Sequence, residues 1–445
     1  MAERFDVVVI GAGPGGARAA RRCAQRGASV ALVEKEFIGG TCLNWGCIPS
    51  KTLLASAHLL MRARSASEMG IDIPSAAPNW PKIQQRRESI ITGLRKGMQG
   101  GMKSGKIAYL EGTAVVHSPT KVTVEANGQK TDLEAGKLIL ATGSDSIQIP
   151  SIPFDGKIVI SSTEALSLPE IPKSMVIVGG GVIGCELGCV YAAMGTKVTI
   201  VEALESLLPM LDSWASRLVE REFKGLGIEA LTGRKVTGVD KGASSAKVNL
   251  DGGQAIEAER VLVAVGRRAA VDKAIVSALG LDMNGPAIKV NKRMETNVPG
   301  VYAVGDAVGT TYLAHGATAE AEVAAANATG GSEEMLDYDL IPRVIFTFPE
   351  VASVGKTEAK CQAEGLDVTV GENDTNGQIH AIRDNAINEI VGVTMVGPLA
   401  TEFVAFARTL IGTCEPIRQI TFPHPTISET LEDAVHEALG ELLLE

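Results

Sequence analysis

The chain carries one short pattern twice, and that pattern leaves few folds open. Residues 5–10 are an apolar run, followed by Gly11-Ala12-Gly13-Pro14-Gly15-Gly16, a helical stretch at 17–27, a second apolar run at 29–33 and then Glu34. The order recurs from residue 175: an apolar run to 178, Gly179-Gly180-Gly181-Val182-Ile183-Gly184, a helix to 194, a strand at 197–201 and Glu202. Strand, glycine turn, helix, strand and acid are the parts of a dinucleotide-binding βαβ unit. Gly11 and Gly179 permit the tight turn, Gly13 and Gly181 let backbone approach a pyrophosphate, and Gly16 and Gly184 let helix and strand pack closely. The helix amino termini offer N–H groups to phosphates, and Glu34 and Glu202 are placed to accept hydrogen bonds from ribose hydroxyls. One glycine run by itself could be a turn without a ligand; two complete copies predict two dinucleotides. A carboxylate at Glu202 repels a 2′-phosphate, and residues 203–208 supply no arginine to hold one, so the second cofactor is expected to be NAD.

A chain of 445 residues is too long for one core. The reading is α/β: a first dinucleotide domain at 1–147, a second at 148–267, a return to the first at 268–335, and an α+β domain at 336–445. Lys137 to Gly143 and Arg260 to Arg268 each read as a buried strand meeting a glycine, which puts Ala141, Thr142 and Gly143 beside the first ligand and Gly266 beside the second. A strand at 296–306 delivers Asp306 at its carboxyl end, where ligands bind in open α/β sheets; an ordinary turn aspartate is the plainer alternative. Residues 82–106, which contain five glycines, read as a helix that frays at its end. Beyond residue 336, strands are expected at 340–355, 366–369 and 389–395, and helices at 400–411 and 428–443. The last helix carries six acids from Glu429 to Glu445 and no Lys or Arg. A net charge of −10 argues against nucleic acid and anionic membrane as partners. Residues 1–6 lack a secretory signal and no apolar stretch is long enough to span a bilayer, so the expected compartment is the cytoplasm.

Chemistry is concentrated in Gly39-Gly40-Thr41-Cys42-Leu43-Asn44-Trp45-Gly46-Cys47-Ile48-Pro49-Ser50-Lys51. Cys42 and Cys47 can cycle between disulfide and dithiol beside a bound cofactor; the loop is too short for a disulfide there to stabilise much through chain entropy. Zinc would need two further soft ligands, and Cys23, Cys185, Cys189, Cys361 and Cys414 offer no such set; no metal is expected. Two inert thiols would not need the Gly-Gly-Thr lead-in or the Pro-Ser-Lys exit. Far along the chain, His424 stands between Pro423 and Pro425, with Ser428 available to cap the helix beginning near Glu429. An imidazole depresses a neighbouring thiol pKa, and Glu429 can hold the imidazole tautomer. His315, after the Asp306 strand, is a candidate for lining the first pocket.

These elements, in this order and over essentially the whole chain, resemble the flavin-dependent pyridine nucleotide–disulfide oxidoreductases, and within them the dihydrolipoamide dehydrogenase branch. The resemblance implies FAD in the first fold, NAD in the second, and a homodimer built through the C-terminal domain, in which His424 of one subunit serves the cysteine pair of the other. It implies that Cys42 is the interchange thiol and Cys47 the thiol beside the flavin, that Lys51 and Glu186 pair near the flavin, and that Ala314 and His315 touch its ring. The implied reaction is oxidation of dihydrolipoyl groups on a carrier protein, with electrons passing to NAD. Gly316 stands where the family has a lysine, Arg268-Ala269-Ala270 lacks the usual proline and asparagine, and 370–397 is shorter than expected. That shortening is expected to disturb sheet pairing, and suggests a specialised relative serving an unusual lipoylated carrier. Rival readings are an NAD(P)H-dependent reductase of a low-molecular-weight disulfide, which Glu202 opposes; a mercuric reductase, which would want a C-terminal cysteine pair; and a non-catalytic FAD-binding sensor or scaffold.

Overall fold

A computed structural model describes residues 2–335, 337–412 and 420–440. The chain divides into two compact units. The first comprises residues 1–53, 81–147 and 266–338; the second comprises 54–80, 148–265 and 339–445.

In the first unit the run Glu3–Ile10 is a central strand because its Val-Val-Val-Ile end is buried on both faces. Parallel neighbours are Val30–Glu34 on one side and Gln129–Leu140 on the other, and Ala108–Glu111 extends the sheet past Val30–Glu34. The long strand Gln129–Leu140 changes partner along its outer edge. Its first half pairs antiparallel with Lys121–Ala126, and its last three residues pair parallel with Val301–Ala303. The expected strand at 296–306 is therefore only three residues long, and Asp306 lies in the single 3-10 turn Gly305–Ala307. Helices Pro14–Gln25 and Ala314–Ala328 pack together. A Cβ at Gly15 would stand 3.3 Å from the Ala317 carbonyl, so a larger residue there would push the two apart. Helix Trp80–Ser104 runs through Gly93, Gly97, Gly100 and Gly101 and stops at Ser104, before Gly105 and short of the expected end at 106.

The second unit repeats the parallel arrangement. Its order is Glu229–Leu231, Lys197–Val201, Ser174–Val178, Arg260–Val263 and Val159–Ile160, with helix Val182–Met194 following the central strand. It also holds a five-stranded antiparallel sheet in the order Arg343–Ile345, Val351–Gly355, Glu389–Val396, Gln378–Asp384, Val368–Asn373. Helices Ala400–Leu410 and Ile427–Ala438 cover one face, burying Ile379, Ala381, Val393 and Met395 against Val404, Leu431 and Val435.

Three expectations are corrected here. The stretch 340–355 is two strands, parted around Pro349, which has no N–H to give a ladder. Gln378–Asp384 is a full strand that the sequence reading missed, and the shortening of 370–397 leaves the pairing intact. Val368 through Asn373 pairs residue for residue with Asp384 through Ile379, so the deletion is absorbed in the turn at 374–377. The last helix is capped by Thr426, not Ser428. Its expected end at Leu443, the acids Glu441 and Glu445, and Cys414 lie outside the described residues.

Candidate active site

The two glycine loops are built alike, contact for contact. Gly11 N donates to Val33 O at 2.8 Å and Gly179 N to Val201 O at 2.9 Å. A Cβ on Gly16 would lie 1.8 Å from the Gly11 carbonyl, and one on Gly184 2.1 Å from the Gly179 carbonyl. Gly11 and Gly179 have φ of +97° and +110° and abut the carbonyls of Ala141 and Ala264. Around Gly181 a Cβ would meet nothing within 4 Å, which leaves the backbone open to a ligand. In the first copy Thr142 Oγ1 is buried with no hydrogen-bond partner among the described residues, and Gly143 has open space beside it. Open glycine backbone, helix amino termini and an orphaned hydroxyl fit a dinucleotide phosphate and its neighbouring oxygens.

Each acid braces its own loop. Glu34 accepts from Ala12 N at 2.8 Å and Glu36 N at 3.0 Å; Glu202 accepts from Gly180 N at 2.6 Å and Leu204 N at 2.8 Å. Two backbone donors leave each carboxylate with acceptor capacity to spare. Arg234 N donates to the Glu202 carbonyl, but its guanidinium is held by Asp251 at 3.0 Å. Gly266, expected beside the second ligand, belongs to the first unit, where its carbonyl accepts from Ile147 N.

The cysteine run is anchored to the first glycine loop. Gly39 N donates to Ala12 O at 2.8 Å, and a Cβ on Gly40 would come within 2.7 Å of Gly13 Cα. Gly39 and Gly40 have φ of +93° and +53°, so the lead-in needs glycine by conformation as well as by space. Cys42 lies in the short helix Gly40–Trp45, Gly46 breaks it, and Cys47 opens helix Cys47–Arg64. Both residues are half-buried thiols in this structure. Their side chains share a hydrogen bond, which together with burial and the adjacent Cys47 charge raises the Cys42 pKa; Lys51 pulls the other way. Cys47 stands at a helix amino terminus, a position that favours negative charge.

Asp306 is held in a cluster that the sequence reading missed. Its carboxylate accepts from Ser144 Oγ and lies 4.0 Å from Arg267 Nε, and Arg267 also donates to Ser144 Oγ and O at 2.7 and 2.6 Å. One residue earlier, Gly305 N donates to Glu320 Oε2 at 2.6 Å, and Tyr338 Oη donates to Glu320 Oε1 at 2.8 Å. Burial, with Asp306 nearby, lifts the Glu320 carboxyl to about 7. The available signal was its register: Glu320 faces inward from an alanine-rich helix, whereas Glu322 pairs outward with Arg18 and Arg22. Ala314 and His315 begin that helix, with His315 exposed. Thr311 fills the space beside Gly316: a Cβ there would sit 2.4 Å from Thr311 Oγ1.

Lys51 falls in the first unit and Glu186 in the second, where Glu186 is buried and accepts from Phe346 N at 3.0 Å. His424, also in the second unit, stands 3.0 Å by Nδ1 from Glu429 Oε1, and Glu429 Oε2 accepts from Thr426 N at 2.9 Å. Glu429 thus caps its helix and orients the imidazole together; the Thr426 N–H and then His424 hold its pKa down. The His424 side chain is 84% exposed. Among the described residues no helix is long and apolar enough to cross a membrane, and no group of three or more His, Cys, Asp or Glu could hold a metal ion.

Comparison with known proteins agrees with this construction. Residues 5–321 match the pyridine nucleotide-disulphide oxidoreductase family model, and 341–435 match the dimerisation domain of that family. A dihydrolipoyl dehydrogenase of Bacillus subtilis is 38% identical, covering 98% of this chain and 99% of its own, and one of Geobacillus stearothermophilus is 36% identical, covering 99% and 97%. Among solved structures, the HOCl-induced flavoprotein disulfide reductase RclA of Escherichia coli superposes with a TM-score of 0.85 at 25% identity, over 97% of this chain and 99% of that one. Two loops of one design, a cysteine pair seated on the first, and a full-length likeness to these enzymes have one meaning: the chain belongs to the pyridine nucleotide–disulphide oxidoreductase family, as an FAD-dependent disulfide oxidoreductase with a dimerisation domain.

Proposed function

We propose that this chain oxidises dihydrolipoyl groups on a carrier protein, with NAD as final acceptor, and works as a homodimer. The observation that carries the reading is the hydrogen-bonded Cys42–Cys47 pair, tied through Gly39 and Gly40 to a dinucleotide loop. The likeness to dihydrolipoyl dehydrogenases supports the substrate class. Glu202 supports NAD over NADP, because the Arg234 guanidinium that could hold a 2′-phosphate is engaged by Asp251. Gly11, Gly13, Gly16, Glu34, Lys51, Ala141, Thr142, Gly143, Asp306, Ala314 and His315 would hold FAD; Gly179, Gly181, Gly184, Glu186 and Glu202 would hold NAD. When bound, these cofactors would supply hydride-transfer chemistry, which a cysteine pair lacks.

The protein's own steps begin with the pair as a disulfide. A substrate thiolate attacks the Cys42 sulfur, forms a mixed disulfide and expels Cys47 as a thiolate, stabilised at the head of its helix. The second substrate thiol attacks the substrate sulfur of that bond, expels Cys42 and closes the product disulfide. Substrate loses two electrons and two protons, and the enzyme pair gains the electrons. His424 takes the substrate proton, with Glu429 fixing its tautomer. The exposure of His424 within one protomer supports its service to the cysteines of a second copy.

Anaerobic titration with dihydrolipoamide, followed by NAD, tests the reading: loss of flavin absorbance and formation of NADH support it, and a dithiol that reduces nothing would overturn it. The RclA likeness favours a second reading, disulfide reduction at the expense of NAD(P)H. Turnover of NADPH with a small disulfide, and none of NAD with dihydrolipoamide, would shift the assignment there.

A further inference from the structure

We propose that Arg95 is a positioning residue for the redox loop, acting through Asn44; the inference rests on the redox reading of Cys42 and Cys47. Asn44 lies between the two cysteines and is buried. Its amide nitrogen donates to the carbonyls of Gly40 at 2.8 Å and Ile38 at 3.2 Å, spanning the left-handed lead-in and the helix that bears Cys42. An asparagine amide can be turned end for end at little cost unless something distinguishes its two ends. The two carbonyls, which only accept, require the nitrogen, and Arg95, whose guanidinium only donates, holds the other end: Arg95 Nε donates to Asn44 Oδ1, so the amide is fixed at both ends. Arg95 is itself held over the Phe37 ring, 4.1 Å from its centroid, and Phe37 lies 6.0 Å from the Trp45 ring. Helix Trp80–Ser104 thereby reaches across to fix which way the loop backbone is tied. The effect proposed on the sulfurs is geometric.

The measurement is the dithiol–disulfide equilibrium of the full-length, flavin-loaded protein in anaerobic glutathione buffers. There the protein dithiol plus oxidised glutathione gives the protein disulfide plus two reduced glutathiones, and Cys42 and Cys47 together lose two electrons and two protons. Trapping by alkylation and mass spectrometry reads the fraction oxidised. Arg95→Met is expected to lower the equilibrium constant for disulfide formation tenfold or more, about 30 mV in potential. Asn44→Asp, which cannot donate to the two carbonyls, should lose as much, and Arg95→Lys, which keeps a donor, should recover most of it. Thermal melts of the same samples report folding. Wild-type values in both folded Arg95→Met and folded Asn44→Asp would overturn the role of Arg95. A folded Arg95→Lys as defective as Arg95→Met would also overturn it, since a donor would then not suffice. A wild-type protein that forms no Cys42–Cys47 disulfide would instead overturn the redox reading.

Discussion

Replacing Glu320 by glutamine separates what that side chain does by shape from what it does by charge. Glu320 is 1% exposed and holds Gly305 N and Tyr338 Oη, so it fixes the turn that presents Asp306. Burial, first among the causes, lifts its pKa from 4.5 to about 7. A folded-state pKa above the unfolded one means that the native protein binds this proton more tightly. The group's contribution to stability is therefore full below pH 4.5, and is lost as pH rises through about 7. At ~1.4 kcal/mol per pH unit over that window, the cost of ionising Glu320 in place is about 3 kcal/mol. A glutamine can accept from Gly305 N through its oxygen and donate to Tyr338 Oη through its nitrogen, keeping both contacts without charge. Glu320→Gln should thus be more stable than wild type at about pH 8, by up to ~3 kcal/mol, and match it near pH 5. For 445 residues unfolding together that is roughly a 3 °C difference in Tm at the higher pH. Melting curves of both proteins, at equal concentration and flavin saturation across that range, make the comparison. Curves that stay parallel at every pH would refute the reasoning, since the pH dependence would then belong to other groups.

Three further outcomes are expected. Glu202→Gln removes the repulsion of a 2′-phosphate and weakens the brace on Gly180, so the ratio of kcat/KM for NAD over NADP should fall about tenfold, ~1.4 kcal/mol; steady-state kinetics with both nucleotides checks it. Gly40→Ala must find room for a Cβ 2.7 Å from Gly13 Cα and adopt a φ of +53°; a loss of about 1–3 kcal/mol and weaker flavin retention should follow, measured by melting and by FAD released on dialysis. His424→Gln should lower kcat with dihydrolipoamide by about 10²–10⁴ while leaving direct NADH-to-dye electron transfer near wild type, and rapid kinetics on both reactions tests the split.

Legibility in the sequence followed the range of the contacts. The glycine loops were readable because their constraints are local: Gly16 meets the carbonyl of Gly11, five residues back, and only glycine fits. The cysteine run was readable from its own residues, two cysteines behind a glycine pair, although the contact that seats it, Gly40 on Gly13, is not local. Residues whose partners lie far along the chain were not. Arg95, Arg267 and Glu320 each sit in unremarkable local sequence, and their meaning comes from Asn44, Ser144 and Gly305. His380 is buried and stacks on Trp214 at 3.8 Å, near Glu358 and Glu372. That one inward polar residue also disguised the strand Gln378–Asp384. The alternation Ile379, Ala381 toward the helices and His380 toward Trp214 is a strand buried on both faces, which no apolar-out or polar-out pattern announces.

The two nucleotide units are too alike for their glycine motifs to decide which performs which chemistry. Both acids brace the loop in the same way, and both segments after the acid return to it: Gly39 N donates to Ala12 O, and Leu208 N to Gly180 O. Pre-set acids and loops lower the ordering cost of binding equally in each copy. What differs is what the returning segment brings. In the second copy it brings Leu207, whose Cδ2 would lie 2.4 Å from a Cβ on Gly180, and the segment ends as packing. In the first it brings Gly39 and Gly40, which let backbone lie on backbone and launch directly into the helix of Cys42. The division of labour between the copies therefore resides in the few residues that follow Glu34 and Glu202. A bulky side chain at position 40 would drive against Gly13 and push the helix of Cys42 off the first loop, leaving the second copy as it is.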